Sequence, residues 1–528
     1  MSAVPPCVLL EDDDLLVVAK PAGWSTHAPS PYGGEGIFDW LRHREPRWAK
    51  LAIVQRLDKD TSGVLLFAKT RQAARALTEQ LASREAEKRY LLLTDRSPTR
   101  DHWTVSSSIV RAGARYRSTT GADGQPAETT FEVLRREQAH TWIIARPRTG
   151  RTHQIRVHAA DSDVPILGDT AYGGAAYRRV CLHAEVIEVR HPTTSGRVSF
   201  RVPVDFDADP SVDLRASFID PTETSCYRAL HGASDGDAGW RVDRLGAFLL
   251  SQSEGALSEV RRRRLEDMLT RWGLRGAYHK QIDRHVRESD VEQSSPVHVL
   301  GDEAEERFLV RENGLPYELS FTEGYSVGLF LDQRDNRRRL LTGHVGADFP
   351  LDLAGAELLN VFAYTCSLSV CAARAGARTT SLDLSKKYLA WGKCNFERNG
   401  IAPAEHDFIF GDAFDWLRRL KKKGRRFACI LLDPPTFSQS KRSGVFRADA
   451  DYGKLVTAAL PLLAPDGVLF TSTNSAQLDP EAFLDHVTTA IGAGGRRVRR
   501  RQYAAQGPDF PVTSREPAYL KTCWWRVG

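Results

Sequence analysis

Leu358-Leu359-Asn360-Val361-Phe362 followed by Ala363-Tyr364-Thr365-Cys366-Ser367-Leu368 reads as an apolar strand that turns straight into a helix, predicted over Leu368 to Ala375. The same unit repeats downstream. Strands at Thr379 to Leu382, Phe408 to Phe410, Cys429 to Leu432 and Gly467 to Ser472 alternate with helices at Ser385 to Asn399 and Phe414 to Lys423. Repeated strand-helix units with continuous apolar strands require a mostly parallel sheet covered on both faces. Residues 319–528 are therefore expected to form a Rossmann-like, doubly wound α/β domain. In the N-terminal direction, a strand pair at Trp240 to Ser251, a helix at Leu257 to Trp272 and a strand at Gly276 to Val286 suggest a small α+β domain, residues 239–318. Asp205 to Asp237 is rich in Asp, Pro, Ser and Gly, which places a linker at 211–238. Residues 1–210 read as short strands broken by turns, such as Leu15 to Ala19 and Thr141 to Ala145, with a helix at Arg71 to Arg84. The fold class is thus multidomain α/β and α+β.

In a doubly wound sheet, ligands bind at the carboxyl ends of the strands. Here three successive strands end in acids: Leu382-Asp383, then Gly411-Asp412, then Asp433-Pro434-Pro435-Thr436-Phe437. The first follows the opening strand by about 20 residues, the spacing at which an acid can take both hydroxyls of a ribose. Any one of them could equally be a helix N-cap. The series points to a nucleoside site.

Two segments of the first 210 residues carry chemistry. In Gln55-Arg56-Leu57-Asp58-Lys59-Asp60-Thr61-Ser62-Gly63-Val64-Leu65-Leu66, a charged turn leaves Asp58 at a loop-to-strand junction beside Arg56; a salt-bridged turn would look the same. Thr149-Gly150-Arg151-Thr152-His153-Gln154-Ile155-Arg156-Val157-His158 alternates polar and apolar residues. On a strand, Gln154, Arg156 and His158 would share one face, suited to a polar ligand, and Arg151 and His153 the other.

The formal charge of +6 is a mild bias toward polyanions. The basic runs Arg261 to Arg264, Lys421 to Arg426 and Arg496 to Arg501 are compatible with phosphate contact or with solvated faces. The eight cysteines form no CxxC pair, so a zinc ribbon, a redox dithiol or a disulfide framework is not expected. No basic leader with a long apolar core precedes Glu11, and no run of roughly 18 apolar residues occurs, so a cytoplasmic location without a membrane span is expected.

Arg56-Leu57-Asp58 with Thr61-Ser62-Gly63, Ala19-Lys20-Pro21-Ala22-Gly23, Lys88-Arg89-Tyr90, Gly150 to Arg156 and Pro165-Ile166-Leu167-Gly168-Asp169 together resemble the RluA-type pseudouridine synthases over about the first 200 residues. Gln55 stands where that family usually has His. The resemblance implies a mixed, largely antiparallel sheet and chemistry without metal or organic cofactor. It makes Asp58 the nucleophile, Arg156 its partner, and Tyr90 a stacking group that also helps remove a proton. Arg56, Arg151 and Gln154 become RNA-binding residues, Arg56 helping to hold an extruded base.

Gly328-Leu329-Phe330-Leu331-Asp332-Gln333-Arg334, Asn360 to Thr365 and Asp433 to Lys441 resemble class I S-adenosylmethionine (SAM)-dependent methyltransferases, specifically the large-subunit rRNA enzymes of the RlmI and RlmK type. Gly239 to Arg244 resembles the small domain that precedes them. This implies SAM as cofactor, with Asp383 on its ribose, Asp412 near its adenine, Tyr364 and Thr365 at its methionine end, and Gln333 and Arg334 closing the pocket. Asp433, Pro434 and Phe437 would hold the target base. Cys366 replaces the usual glycine, where a side chain could crowd the cofactor. Cytosine C5 methylation needs a thiolate, and Thr471-Ser472-Thr473-Asn474-Ser475 offers none. A ring nitrogen such as guanine N7 needs only positioning, so guanine N7 in 23S rRNA is the expected target. Adenine N6, a tRNA, a non-RNA substrate, or an assembly factor with silent sites are the alternatives.

Overall fold

The computed structural model describes residues 4–119, 123–282, 295–324, 326–440, 444–475 and 478–528, with only the backbone of 438–440. The chain forms two compact units: Met1–Ala28 with Gly36–Asp39 and Lys50–Asp220, and Pro29–Glu35 with Trp40–Ala49 and Pro221–Gly528.

In the first unit, eleven strands among the described residues make one mixed sheet. All pairings are antiparallel except that of Leu182–Arg190 with Ser62–Ala68. Ser62–Ala68 is buried along its whole length, as a central strand must be. Its second residue is glycine for a steric reason: at Gly63, with φ +126°, a Cβ would lie 2.2 Å from the carbonyl oxygen of Ala184.

The segment 149–158 is not a strand. A helix runs from Gln154 to Asp161, entered through His153 in the left-handed conformation (φ 56°). Every residue from Gln154 to Ala159 is buried. The alternation misleads because its polar members face inward as well. His158 is bonded to the hydroxyls of Thr129 and Ser107, and Arg156 is paired as described below. The stretch read as a linker is also ordered: it holds a helix, Pro210–Phe218, and a strand, Cys226–His231. Asp209 caps that helix and Pro210 opens it, so the residues that suggested a linker are helix-start residues.

In the second unit, Cys226–His231, Trp240–Leu245, Phe248–Ser253, Gly276–Gln281 and Val297–Gly301 form a five-stranded sheet with the helix Glu259–Trp272. The predicted strand to Val286 ends at Gln281; residues 283–286 lie outside the described ones. A seven-stranded sheet follows, in the order Asp407–Phe410, Arg378–Asp383, Glu357–Val361, Phe427–Leu432, Leu463–Thr473, Lys521–Val527, Val498–Ala504. The first five are parallel, and Lys521–Val527 pairs antiparallel with both of its neighbours. The chain leaves Glu357–Val361 toward one side of the sheet and later returns to the other with Phe427–Leu432, creating the crevice at which such sheets bind ligands. Among the described residues no helix is long and apolar enough to cross a membrane.

Candidate active sites

In the first unit, Asp58 sits in the turn that feeds Ser62–Ala68. The turn closes by Thr61 N–H donating to the Asp58 carbonyl (3.1 Å). Two anchors hold it. Thr26 Oγ1 donates to the Leu57 carbonyl (2.8 Å) and accepts from the Leu57 N–H (3.0 Å). Buried Lys20 donates Nζ to the carbonyls of Pro21, Trp24 and Lys59 (2.9, 2.6 and 3.1 Å). Burial lowers the Lys20 ammonium to about 7, against the pull of Asp60 and Asp58.

The Asp58 carboxylate is 27% exposed, with Arg156 Nη1 at 3.6 Å and His153 Nε2 at 3.8 Å. Arg156 makes its closer pair elsewhere. Its Nε and Nη2 clamp the buried Asp169 carboxylate at 2.6 and 2.8 Å. Asp169 thus aims the guanidinium, which offers its remaining edge to Asp58. Tyr90 lies on Glu87–Thr94. Burial first, and then the Asp58 charge, push its phenol well above the ordinary range. A phenol that keeps its proton near neutral pH can stack on a base and donate a hydrogen bond.

Arg56 and Arg151 are exposed, Arg151 donating Nε to the Pro126 carbonyl (3.1 Å). Gln154 does not reach an RNA surface. It is 3% exposed, its oxygen accepts from Thr149 Oγ1 and Arg151 N–H, and its nitrogen donates to the Glu128 carbonyl and Thr129 Oγ1. An amide with both ends satisfied inside the fold has nothing left for a base. His153 and Asp169, both within quoted motifs, were missed as site members, and no sequence signal marked Tyr172.

In the second unit, a cavity of about 680 Å³ opens at the carboxyl ends of the parallel strands, lined by Gln333, Tyr364, Asp383, Asp412, Asp433 and Pro434. Asp383 ends its strand and accepts the N–H groups of Tyr364 and Ser385, each at 2.8 Å. Burial raises its pKa, opposed by these bonds. Asp412 caps the helix Ala413–Lys422 through the Asp415 N–H (3.0 Å), so the capping role and the cavity position coexist. Burial pushes Asp433 up to about 6, opposed by hydrogen bonds from Ser472 and Gln333. Gln333 Nε2 bridges Asp433 Oδ2 (3.1 Å) and Ser472 Oγ (2.8 Å).

The loop after the first strand is unusual. Phe362, Tyr364 and Cys366 have φ values of 64°, 49° and 60°, three left-handed residues without a glycine. Such strain persists where the surroundings enforce it. Cys366 does not crowd the cavity. It is fully buried, and its sulfur takes the space that a Cβ on Gly392 would need, 2.4 Å away.

Three expected contacts are absent. Arg334 is 4% exposed and clamps buried Asp509 at 2.7 Å through both Nη atoms, so it braces the wall from behind. Thr365 is buried, its hydroxyl donating to the Gly328 carbonyl (2.6 Å). Phe437 is outside the lining, where Phe330, Phe362, Phe414 and Phe446 supply the aromatic surface instead. Lys441 lies outside the described residues. Of the basic runs, Arg261 to Arg264 are all paired with Asp237, Glu259 or Glu266, whereas Lys421 to Lys423 are exposed.

Comparison with known proteins matches residues 14–161 to the family described as RNA pseudouridylate synthase and residues 235–523 to the family described as S-adenosylmethionine-dependent methyltransferase. The chain is 38% identical over 219 residues to "Ribosomal large subunit pseudouridine synthase C" of Yersinia pestis, covering 39% of this chain and 68% of that protein. It is 32% identical over 328 residues to "Ribosomal RNA large subunit methyltransferase" of Deinococcus radiodurans, covering 60% and 78%. The crystal structure of SMU.776 complexed with SAH superposes with a TM-score of 0.52 at 27% identity, covering 64% of this chain and 86% of that one.

Proposed function

Since the chain belongs to the RNA pseudouridylate synthase family through its first unit and to the S-adenosylmethionine-dependent methyltransferase family through its second, we propose that it modifies large-subunit ribosomal RNA twice, in the cytoplasm, isomerising a uridine and methylating a base. The target class is supported by the relatives that match each unit, both named for the large ribosomal subunit. The observation that carries the reading is that each unit holds its own acid-centred site, Asp58 beside Arg156 in the first and Asp383, Asp412 and Asp433 around one cavity in the second.

In the first site, Asp58 is the nucleophile. Arg156, aimed by Asp169, offers it the remaining guanidinium edge, and Tyr90 packs on the uracil. Exposed Arg56 and Arg151 meet the RNA backbone or the extruded base. In the second, SAM supplies the methyl group. Asp383 would hold ribose hydroxyls with the acceptor capacity its two N–H bonds leave, with Asp412 toward the adenine and Tyr364 at the methionine end. Asp433, steadied by Gln333, and the Pro434 backbone hold the target base.

Guanine N7 is the favoured atom. Among the described residues no cysteine lines the cavity, and burial raises the thiols of Cys429 and Cys523 far above neutrality, so cytosine C5 chemistry lacks a nucleophile there. A base presenting N–H donors suits the Asp433 carboxylate. That same carboxylate favours a second reading, adenine N6, because it can accept a hydrogen bond from an exocyclic amine. Mass spectrometry of 23S rRNA from cells with and without the gene tests all of this. Loss of one pseudouridine and one 7-methylguanine is expected. Loss of N6-methyladenine instead selects the second reading, and an unchanged 23S rRNA removes the assignment to large-subunit RNA.

A further inference from the structure

His153 belongs to the motif around Arg156, yet no step described so far uses it. Its placement is costly: a non-glycine residue held at φ 56° as the N-cap of Gln154–Asp161, making no side-chain cap. That conformation puts its imidazole between two partners. Nε2 faces Asp58 Oδ2 at 3.8 Å. Nδ1 lies 2.8 Å from the hydroxyl of Tyr172. The Tyr172 hydroxyl oxygen in turn accepts the backbone N–H of Tyr116 at 2.9 Å.

Two independent features fix the proton on this ring. The Tyr116 amide always donates, so with an acceptor role of the Tyr172 oxygen filled, its O–H is free to donate to Nδ1. On the other side a lone pair on Nε2 would face a carboxylate, whereas an N–H there would be attracted to it. Both favour the neutral tautomer with hydrogen on Nε2.

We propose that His153 is a positioning residue for pseudouridine formation: a chain running from the Tyr116 amide through Tyr172 to the imidazole presents a neutral N–H to Asp58 and orients its reactive oxygen. The inference rests on Asp58 being the nucleophile. The other charged groups around the ring are Arg156, Asp169 and Asp60, with the Tyr116 and Tyr172 rings packed against it edge-on. Burial lowers the imidazole pKa, with Arg156 acting in the same direction and Asp58, Asp169 and Asp60 opposing, so the neutral form prevails at neutral pH.

The consequence is a pH dependence. As Asp58 attacks, its negative charge disperses. An imidazolium at 3.8 Å stabilises the ionised ground state more than the transition state and slows the step. Activity therefore falls as His153 protonates, at a pH below about 6.5.

The test is the pH profile of pseudouridine formation by the full chain on a uridine-containing RNA substrate. His153→Gln keeps an N–H donor but cannot titrate. Its kcat is expected to drop roughly tenfold with KM unchanged, and its acid limb to disappear. Retention of the wild-type acid limb in H153Q would overturn the proposal. Tyr172→Phe keeps the ring and His153 in place, so it remains informative if H153Q does not fold. The imidazolium there loses an acceptor for its second N–H, and the midpoint should move down by about half a pH unit or more. An unmoved midpoint would equally overturn the proposal. Asp58→Asn run alongside separates the two readings, since activity surviving in D58N would instead remove Asp58 as the nucleophile.

Discussion

The two sites set the same side chain in different surroundings. Asp58, the proposed nucleophile, stands in a half-open turn with the Arg156 guanidinium and the His153 imidazole within 4 Å. Asp433 stands in a cavity wall with neutral hydrogen-bond partners, and burial brings it to about 6. The backbones differ as well. The Asp58 turn is followed by a glycine where space and φ demand one, whereas the loop after Glu357–Val361 places three side-chain-bearing residues in the left-handed region. The carboxylate proposed to attack faces one cation, Arg156, and one imidazole, His153. The carboxylate proposed to hold a base is hydrogen-bonded by the neutral donors Gln333 and Ser472.

The contrast can be broken most sharply at Asp58. Asp58→Asn should lower pseudouridine formation by about a thousandfold or more while leaving methyl transfer unchanged, as measured by parallel assays on one preparation. Next is Gly63→Ala. The 2.2 Å approach to the Ala184 carbonyl is backbone against backbone, so about 3 kcal/mol or more of stability should be lost, seen in denaturant unfolding. Gly392→Ala should cost about 1–3 kcal/mol, because its methyl meets the Cys366 sulfur. Cys366→Gly in the same chain should recover most of that loss, and a double-mutant cycle of the four proteins measures the coupling. The smallest effect is on pH. Asp433 is raised, so its ionised form is present above about 6 and is lost as pH falls through that value. Methyl transfer should decline about twofold at that midpoint, and Asp433→Asn should remove this part of the profile in rates measured from pH 5 to 8.

Much of this was legible in the sequence, for identifiable reasons. A parallel strand buried on both faces leaves a continuous apolar run, and the acids at strand ends follow such runs at fixed offsets. That made Asp383, Asp412 and Asp433 readable, and all three line the cavity. The failures share a cause: polar residues whose partners are distant in sequence. Arg334 looked like a pocket residue because Asp509, which neutralises it, lies 175 positions away. Gln154 and His158 looked like a ligand-binding face because the strand that bonds both, Gln125–Arg136, shows no sign of doing so in its own sequence. Cys366 looked like a defect because its compensation, Gly392, sits on another helix, Lys386–Arg398.

The central claim is that one chain carries two independently working sites acting on the same class of RNA. The most direct test is to map pseudouridine and methylated bases in 23S rRNA from a deletion strain complemented with the wild-type chain, with Asp58→Asn, or with Asp383→Ala. The account predicts that D58N restores only the methylated base and D383A only the pseudouridine. Loss of both modifications in either folded variant, or restoration of both, would contradict it.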